Sequence, residues 1–161
     1  MTINLEEKLR DLLNARGLKL AAAESCTGGL VADRITDVAG SSGYFLGGVV
    51  AYSYQAKAKA LGVAWDTLNA HGAVSEEVVL EMARGARKLF AADLAVSVSG
   101  VAGPTGGTLD KPVGATWLGL SANDGDWARY FVWAGDRRQN KRHSAQAALQ
   151  FAVDYLEGKL K

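Results

Sequence analysis

A serine at the start of a glycine-containing turn is the residue best suited to do chemistry. Ser25 lies in the segment Ala-Ala-Ala-Glu-Ser-Cys-Thr-Gly-Gly, residues 21–29, where small apolar residues give way to a polar turn. A strand before it and a helix start after it would hold a nucleophile and stabilise negative charge beside it. Ordinary capping by Ser, Thr and Gly explains the same pattern. The thiol of Cys26 is a rival nucleophile, although no histidine lies nearby in the sequence to pair with it.

A lysine after the next predicted strand is a candidate base. Lys57 lies among the small residues Ala56, Ala58 and Ala60, which would let its side chain reach inward. Burial lowers the pKa of a lysine, and a neutral amine can activate a serine without a histidine. The alternative is that Lys57 and Lys59 are both solvated lysines on a surface helix.

Two further segments suit the binding of an anion. Residues 97–107, Ser-Val-Ser-Gly-Val-Ala-Gly-Pro-Thr-Gly-Gly, follow a predicted strand and can present backbone N–H groups. Their spacing matches neither the dinucleotide fingerprint nor the P-loop, and a long surface turn is the alternative. Residues 135–142, Gly-Asp-Arg-Arg-Gln-Asn-Lys-Arg, form a cationic helix start that suits phosphate, or else one that is merely solvated.

The elements that position these segments alternate between strand and helix. The apolar pattern predicts helices over residues 5–16, 28–38, 55–61, 76–91 and 136–156, and strands over 18–23, 45–52, 93–99, 113–121 and 127–133. This order predicts an α/β fold, a three-layer α/β/α sandwich with a mixed, mainly parallel sheet and one C-terminal hairpin. Ligand sites in such sheets collect beyond the carboxyl ends of the strands, where Ser25, Ser53 and Ser99 are expected.

Composition narrows the class of protein. The 161 residues fit one domain over 1–161, and a net charge of +1 argues against a nucleic-acid partner. The lone cysteine fits a reducing compartment. The first residues lack a signal-peptide pattern and no apolar run approaches about 18 residues, so we expect a cytoplasmic protein without a membrane partner. The two histidines, His71 and His143, lie far apart, and we expect no metal.

Taken together and in this order, the segments resemble the CinA C-terminal domain family, which includes stand-alone nicotinamide-nucleotide amidases. The resemblance covers nearly the whole chain. The matching stretches are Glu-Ser-Cys-Thr-Gly-Gly at 24–29, Gly-Ser-Ser at 40–42, Gly-Val-Val-Ala-Tyr-Ser at 48–53, Lys57, Ala-Val-Ser at 73–75, Ser-Gly-Val-Ala-Gly-Pro at 99–104 with Gly-Gly at 106–107, Lys-Pro-Val-Gly at 111–114 and Gly-Asp-Arg at 135–137.

The resemblance implies hydrolysis of the carboxamide of nicotinamide mononucleotide to nicotinic acid mononucleotide and ammonia, with no metal or cofactor. It implies Ser25 as nucleophile, Lys57 as base and Ser99 as an assisting hydroxyl. Backbone N–H groups near residues 26–28 are the expected oxyanion donors. It also implies a homo-oligomer, a dimer or higher. The expected substrate contacts are Cys26, Thr27, Gly28, Gly29, Tyr52, Gly100, Gly103, Arg137, Lys141 and Arg142.

Two departures from the family pattern bear on the substrate. Tyr54 stands where many relatives have asparagine, so we expect the wall of the site to differ. Asn140 and Lys141 replace an apolar residue followed by arginine, and a lysine binds phosphate as a point charge rather than a fork. Two other functions stay open, a non-catalytic nucleotide-binding or regulatory module linked to DNA uptake and damage responses, and an amidase for another small amide.

Overall fold

A single mixed sheet forms the centre of the molecule. The structure, a computed structural model, describes residues 3–160; residues 1, 2 and 161 of the predicted domain lie outside the described residues. The strands are β1 (Leu20–Glu24), β2 (Phe45–Val50), β3 (Leu94–Gly100), β4 (Ala115–Ala122) and β5 (Gly125–Val132). Their order in the sheet is β2-β1-β3-β4-β5. The β1 pairings with β2 and β3 are parallel, and β4 is antiparallel to both β3 and β5. The predicted mixed sheet with a C-terminal hairpin is confirmed.

Helices cover both faces of this sheet, which confirms the predicted three layers. They are α1 (Leu5–Arg16), α2 (Leu30–Thr36), α3 (Tyr54–Leu61), α4 (Trp65–His71), α5 (Glu76–Phe90) and α6 (Arg137–Leu156). The first apolar core joins α1, α2 and α6 to one face of the sheet, and the second joins α3, α4 and α5 to the other. Successive residues of β1 alternate between the layers, because Leu20 and Ala22 face the first core and Ala21 and Ala23 the second.

The register of the parallel strands brings three chain segments to one edge of the sheet. Glu24 at the end of β1 pairs with Val50 at the end of β2 and with Val98 near the end of β3. The residues that follow, Ser25 and the segment from Ala51, therefore leave the sheet beside Ser99. This is the edge at which the alternation of strands and helices predicts a site.

Several elements differ from the sequence-based prediction. Helix α2 begins at Leu30 rather than at residue 28, because residues 26–29 form a turn. Helix α4 was not predicted, since its seven residues carry one buried apolar side chain, Leu68, and its N-cap makes no side-chain hydrogen bond. Strand β4 begins at Ala115, two residues later than expected. Within residues 3–160, no helix has the length and apolar character needed to cross a bilayer.

Candidate active site

A buried serine–lysine pair lies at the carboxyl edge of the sheet. Lys57 Nζ donates to Ser25 Oγ over 2.9 Å and to the Ala51 carbonyl oxygen over 3.0 Å. Lys57 is 1% exposed. The alternative of a solvated lysine is therefore wrong for Lys57, although it holds for Lys59, which is exposed. The sequence segments that carry Ser25 and Lys57 are 32 residues apart and meet through the parallel pairing of β1 and β2.

Lys57 is buried because helix α3 is held against helix α5. Ser53 caps α3 by accepting the Ala56 N–H, and Lys57 shares the inward face of the helix with Leu61. Helix α5 packs directly on the end of α3, since a Cβ added at Gly85 would lie 1.9 Å from the Leu61 carbonyl oxygen. Packing of α3 on α5, which itself covers the sheet, thus removes the lysine amine from water.

Burial changes the protonation of this lysine. Desolvation disfavours the ammonium form and lowers the pKa of Lys57 below its ordinary value, while a negative charge on Cys26 would act in the opposite direction. Among residues 3–160, no carboxylate lies within ion-pair distance of Lys57. A neutral amine next to a serine hydroxyl is the arrangement that serine–lysine chemistry requires.

Glu24 occupies the N-terminus of helix α2. Its buried carboxylate accepts from the Thr27 hydroxyl at 2.7 Å and from the N–H groups of Val31 and Ala32 at 2.8 and 3.1 Å. The sequence predicts that a helix N-terminus stabilises negative charge at Ser25. This prediction is wrong, because the N–H groups at that N-terminus already donate to Glu24. Glu24 instead fixes the turn that displays Ser25. The sequence feature that indicates this role is an acidic residue placed between a buried strand and the start of a helix.

The turn after Ser25 leaves two candidate oxyanion donors. The Gly28 N–H donates to the Ser25 carbonyl oxygen at 3.0 Å, so it is not available to a substrate, contrary to the expectation for residues 26–28. In the part of the chain that the structure describes, the N–H groups of Cys26 and Thr27 donate to no backbone or side-chain oxygen. These two donors follow Ser25 directly in the turn.

Cys26 is an unfavourable nucleophile. Burial raises the pKa of its thiol to about 12, the nearby Glu24 carboxylate adds to this effect, and Lys57 and Lys141 oppose it. The thiol is 6% exposed and borders the cavity. A thiol with so high a pKa is almost entirely protonated at neutral pH, which removes the advantage of a thiolate.

A cavity of about 270 Å³ opens over the serine–lysine pair. Its walls combine the end of β3, the glycine-rich loop and two tyrosines; the lining residues include Ser25, Cys26, Tyr52, Tyr54, Lys57, Ser99, Gly100, Gly103 and Arg137. Ser99 is 1% exposed at the cavity wall. The hydroxyl of Tyr54 accepts the Ala73 N–H at 3.3 Å, which holds its ring at the rim. Eight of the expected site residues thus share one cavity with Tyr54.

The three predicted basic residues of α6 differ in where they lie. Arg137 lines the cavity and donates to the Gly103 carbonyl oxygen at 2.7 Å and to the Tyr52 hydroxyl at 3.0 Å. Lys141 Nζ lies over the Ser25 turn, 3.7 Å from where a Cβ at Gly28 would be. Arg142 borders a separate groove with Arg34 and does not reach the cavity. The reason is helical geometry, because Arg142 is rotated about 100° from Lys141 around the helix axis.

The Thr27 side chain and Gly29 support the turn rather than line the cavity. Thr27 is buried and donates to Glu24, and Gly29 precedes helix α2 with a left-handed φ of 108°. Within residues 3–160, no group of three or more His, Cys, Asp or Glu side chains is arranged to hold a metal ion.

Comparison with known proteins identifies the family. The family model of the CinA C-terminal domain matches residues 2–156. The chain belongs to the CinA C-terminal domain family. A protein from Klebsiella pneumoniae, described as competence damage-inducible protein A, superposes with a TM-score of 0.92 at 36% identity, covering 95% of each chain. The protein CihA of Agrobacterium tumefaciens, described as a competence/damage inducible protein, gives 0.89 at 36% identity over 98% of this chain and 99% of that one.

Relatives of this CinA C-terminal domain fall into two lengths. A putative competence-damage inducible protein of Halothermothrix orenii is 47% identical over 96% of this chain, which spans only 38% of that relative. This chain likewise spans only 36–37% of the length of four further relatives. In contrast, the nicotinamide-nucleotide amidohydrolase PncC of Escherichia coli is 50% identical over 92% of this chain and 90% of its own length.

Proposed function

We propose that this CinA C-terminal domain hydrolyses the carboxamide of nicotinamide mononucleotide to nicotinic acid mononucleotide and ammonia. The observation that carries the proposal is the 2.9 Å contact between Lys57 Nζ and Ser25 Oγ at the base of an open cavity. The name of the E. coli relative, which matches over 90% of its own length, supports the substrate. In this proposal the reaction belongs to pyridine nucleotide salvage.

Nucleophilic attack needs a proton acceptor at Ser25, and neutral Lys57 supplies it. In the proposed first step, Ser25 Oγ bonds to the carboxamide carbon while its proton passes to Lys57 Nζ. The lowered pKa of Lys57 favours the neutral amine that accepts this proton. The second amine hydrogen bond, to the Ala51 carbonyl oxygen, keeps Nζ directed at Ser25.

Negative charge then develops on the former carboxamide oxygen. The N–H groups of Cys26 and Thr27, which adjoin Ser25, are the proposed donors to that oxyanion. Collapse of the tetrahedral intermediate breaks the carbon–nitrogen bond, and the proton held by Lys57 reaches the departing nitrogen to give ammonia. Ser99, buried at the cavity wall, is the proposed relay. Water then attacks the acyl-enzyme, again with Lys57 as base, and releases the acid.

A phosphate on the substrate needs a cation near the mouth of the cavity. Arg137 is the proposed partner, because its guanidinium lines the cavity and its fork geometry matches phosphate oxygens. Lys141 over the Ser25 turn is the second proposed cation. Arg142 is not part of this proposal, since it borders a different groove.

We also propose a homo-oligomer. Strand β5 is at the edge of the sheet, and Tyr130 and Val132 on it are 44% and 53% exposed. An unpaired edge with apolar side chains is a surface that proteins commonly cover. Light scattering coupled to size-exclusion chromatography tests this, and a mass of one chain, 17.0 kDa, at micromolar concentration would contradict it.

Ammonia release from three substrates tests the proposed activity. Nicotinamide mononucleotide, nicotinamide riboside and nicotinamide are compared at equal concentration, with Ser25→Ala as the control for contaminating amidase. We expect turnover of the mononucleotide, much weaker turnover of the other two, and none with Ser25→Ala. Equal turnover of all three would refute the phosphate contact. No ammonia release from any of the three substrates would refute the proposed amidase activity and favour a non-catalytic nucleotide-binding role.

A further inference from the structure

Two side chains from the first turn of α6 hold the glycine-rich loop of the cavity. Arg137 Nη1 donates to the Gly103 carbonyl oxygen at 2.7 Å, and Asn140 Nδ2 donates to the Ala102 carbonyl oxygen at 3.0 Å. Residues three apart lie on the same face of a helix, so both reach the same loop. The loop and the helix start are therefore tied at two consecutive carbonyl groups.

The two ties differ in their exposure to water. Asn140 is 1% exposed, and its amide oxygen accepts the Gly135 N–H at 3.0 Å. Arg137 is exposed, and its second terminal nitrogen donates to the Tyr52 hydroxyl. A buried hydrogen bond restrains the positions of its two groups more strongly than an exposed one, because no water molecule can take the place of either partner. Asn140 is therefore the buried anchor, and Arg137 is the exposed one.

Close packing leaves the buried amide little freedom. A Cβ added at Gly135 would lie 2.7 Å from Gln139 Cβ and 3.1 Å from Asn140 Oδ1. The backbone of Asn140 is also used, since its carbonyl oxygen accepts the buried Ser144 hydroxyl at 2.8 Å. The amide thus has one orientation, with its oxygen toward Gly135 and its nitrogen toward Ala102.

We propose that Asn140 is a positioning residue that aligns Arg137 with the phosphate of the substrate, an inference that rests on the proposed function. By fixing the Ala102 carbonyl group, Asn140 fixes the next one, at Gly103, to which the guanidinium of Arg137 donates. Without that anchor the loop and the guanidinium can shift together, and phosphate loses a preorganised partner. The Ser25–Lys57 pair, on other elements, is not affected.

Two variants of Asn140 separate the anchor from general stability. Asn140→Asp keeps an acceptor for the Gly135 N–H and loses the donor to Ala102, whereas Asn140→Leu loses both bonds. Because both variants lose the hydrogen bond to Ala102, we expect KM for nicotinamide mononucleotide to rise roughly three- to tenfold in each, with kcat changed less than about twofold. Asn14→Leu, at an exposed position of α1, is the matched control and should change neither constant.

A double-mutant cycle with Arg137→Ala gives the deciding result. If Asn140 acts through Arg137, Asn140→Asp should leave KM unchanged once Arg137 is alanine. An equal rise in KM with and without Arg137, or a fall in kcat at unchanged KM, would overturn the inference. Failure of the wild-type protein to release ammonia would instead refute the proposed function, and the inference with it. Thermal unfolding of each variant confirms that folded proteins are compared.

Discussion

Replacing Lys57 by methionine removes the proposed base and keeps an unbranched side chain of similar length. The Nζ atom that disappears lies 2.9 Å from Ser25 Oγ, and no other amine or imidazole is hydrogen-bonded to that oxygen within the described residues. A positioned base contributes about 10²–10⁴ in rate. We therefore expect kcat for nicotinamide mononucleotide to fall by about that factor, which raises the barrier by about 2.7–5.4 kcal/mol.

The fold should survive this substitution. Methionine leaves the buried Ala51 carbonyl oxygen without the amine that donates to it, which costs about 1–3 kcal/mol. Removal of a buried ionisable amine acts in the opposite direction. The net change is smaller than the roughly 5–15 kcal/mol by which domains are commonly stable, so the variant remains folded at 25 °C.

The assay follows ammonia release at pH 8 for four variants. Lys57→Met, Ser25→Ala and the double variant are compared with Lys59→Met, which removes an exposed lysine two residues further along α3. Residues that act as one catalytic unit are not additive. The double variant should thus be about as slow as either single variant, and Lys59→Met should match the wild type.

Two results would refute this reasoning. A Lys57→Met protein that turns over within tenfold of the wild type would exclude Lys57 as the base. A double variant slower than either single variant by the product of their effects would show that Ser25 and Lys57 act independently. A folded Lys57→Met protein, checked by circular dichroism, is the condition for both conclusions.

Four more predictions concern Lys57 and its neighbouring groups. Because only neutral Lys57 accepts a proton, kcat/KM should rise with pH through a pKa below the ordinary 10.5 of lysine, and a pH–rate profile that falls over this range would contradict it. Stability should rise over the same range, since the unfolded chain then binds a proton that the native chain lacks, and denaturant titration should show no such rise in Lys57→Met. Cys26→Ala should keep at least about a third of wild-type turnover, whereas a loss above a hundredfold would restore Cys26 as nucleophile. Glu24→Gln replaces an acceptor of three hydrogen bonds and should cost about 2 kcal/mol, lowering Tm by about 4–8 °C in calorimetry, with the exposed Glu76→Gln unchanged.

The sequence predicts the sheet and the edge at which the site lies because these depend on local patterns. Apolar runs end at polar residues in three strands, and parallel strands bring those ends together. The caps of the helices were predictable for the same reason, since Ser75 and Asp136 each accept the N–H three residues later. These features need only the order of residues within one segment.

The burial of a side chain and the direction in which it points depend on contacts between distant segments. No local sequence pattern contains this information. Lys57 is buried because α5 packs on the end of α3, and the glycine that permits this, Gly85, is 28 residues away. The use of the α2 N-terminus by Glu24 depends on how the turn closes. By contrast, the separation of Arg142 from Lys141 follows from the helical period once the buried face of α6 is known.

The single thiol beside Ser25 can report on the conformation of the Ser25 turn. Burial raises the pKa of the Cys26 thiol to about 12, so very little of it is thiolate at pH 8, and the buried sulfur is shielded from alkylating reagents. Labelling by a maleimide therefore proceeds through transient opening of the Ser25 turn, and its rate measures the free energy of that opening. Because the chain has one cysteine, each molecule takes one label. A ligand in the cavity should slow labelling, which gives a binding assay independent of turnover.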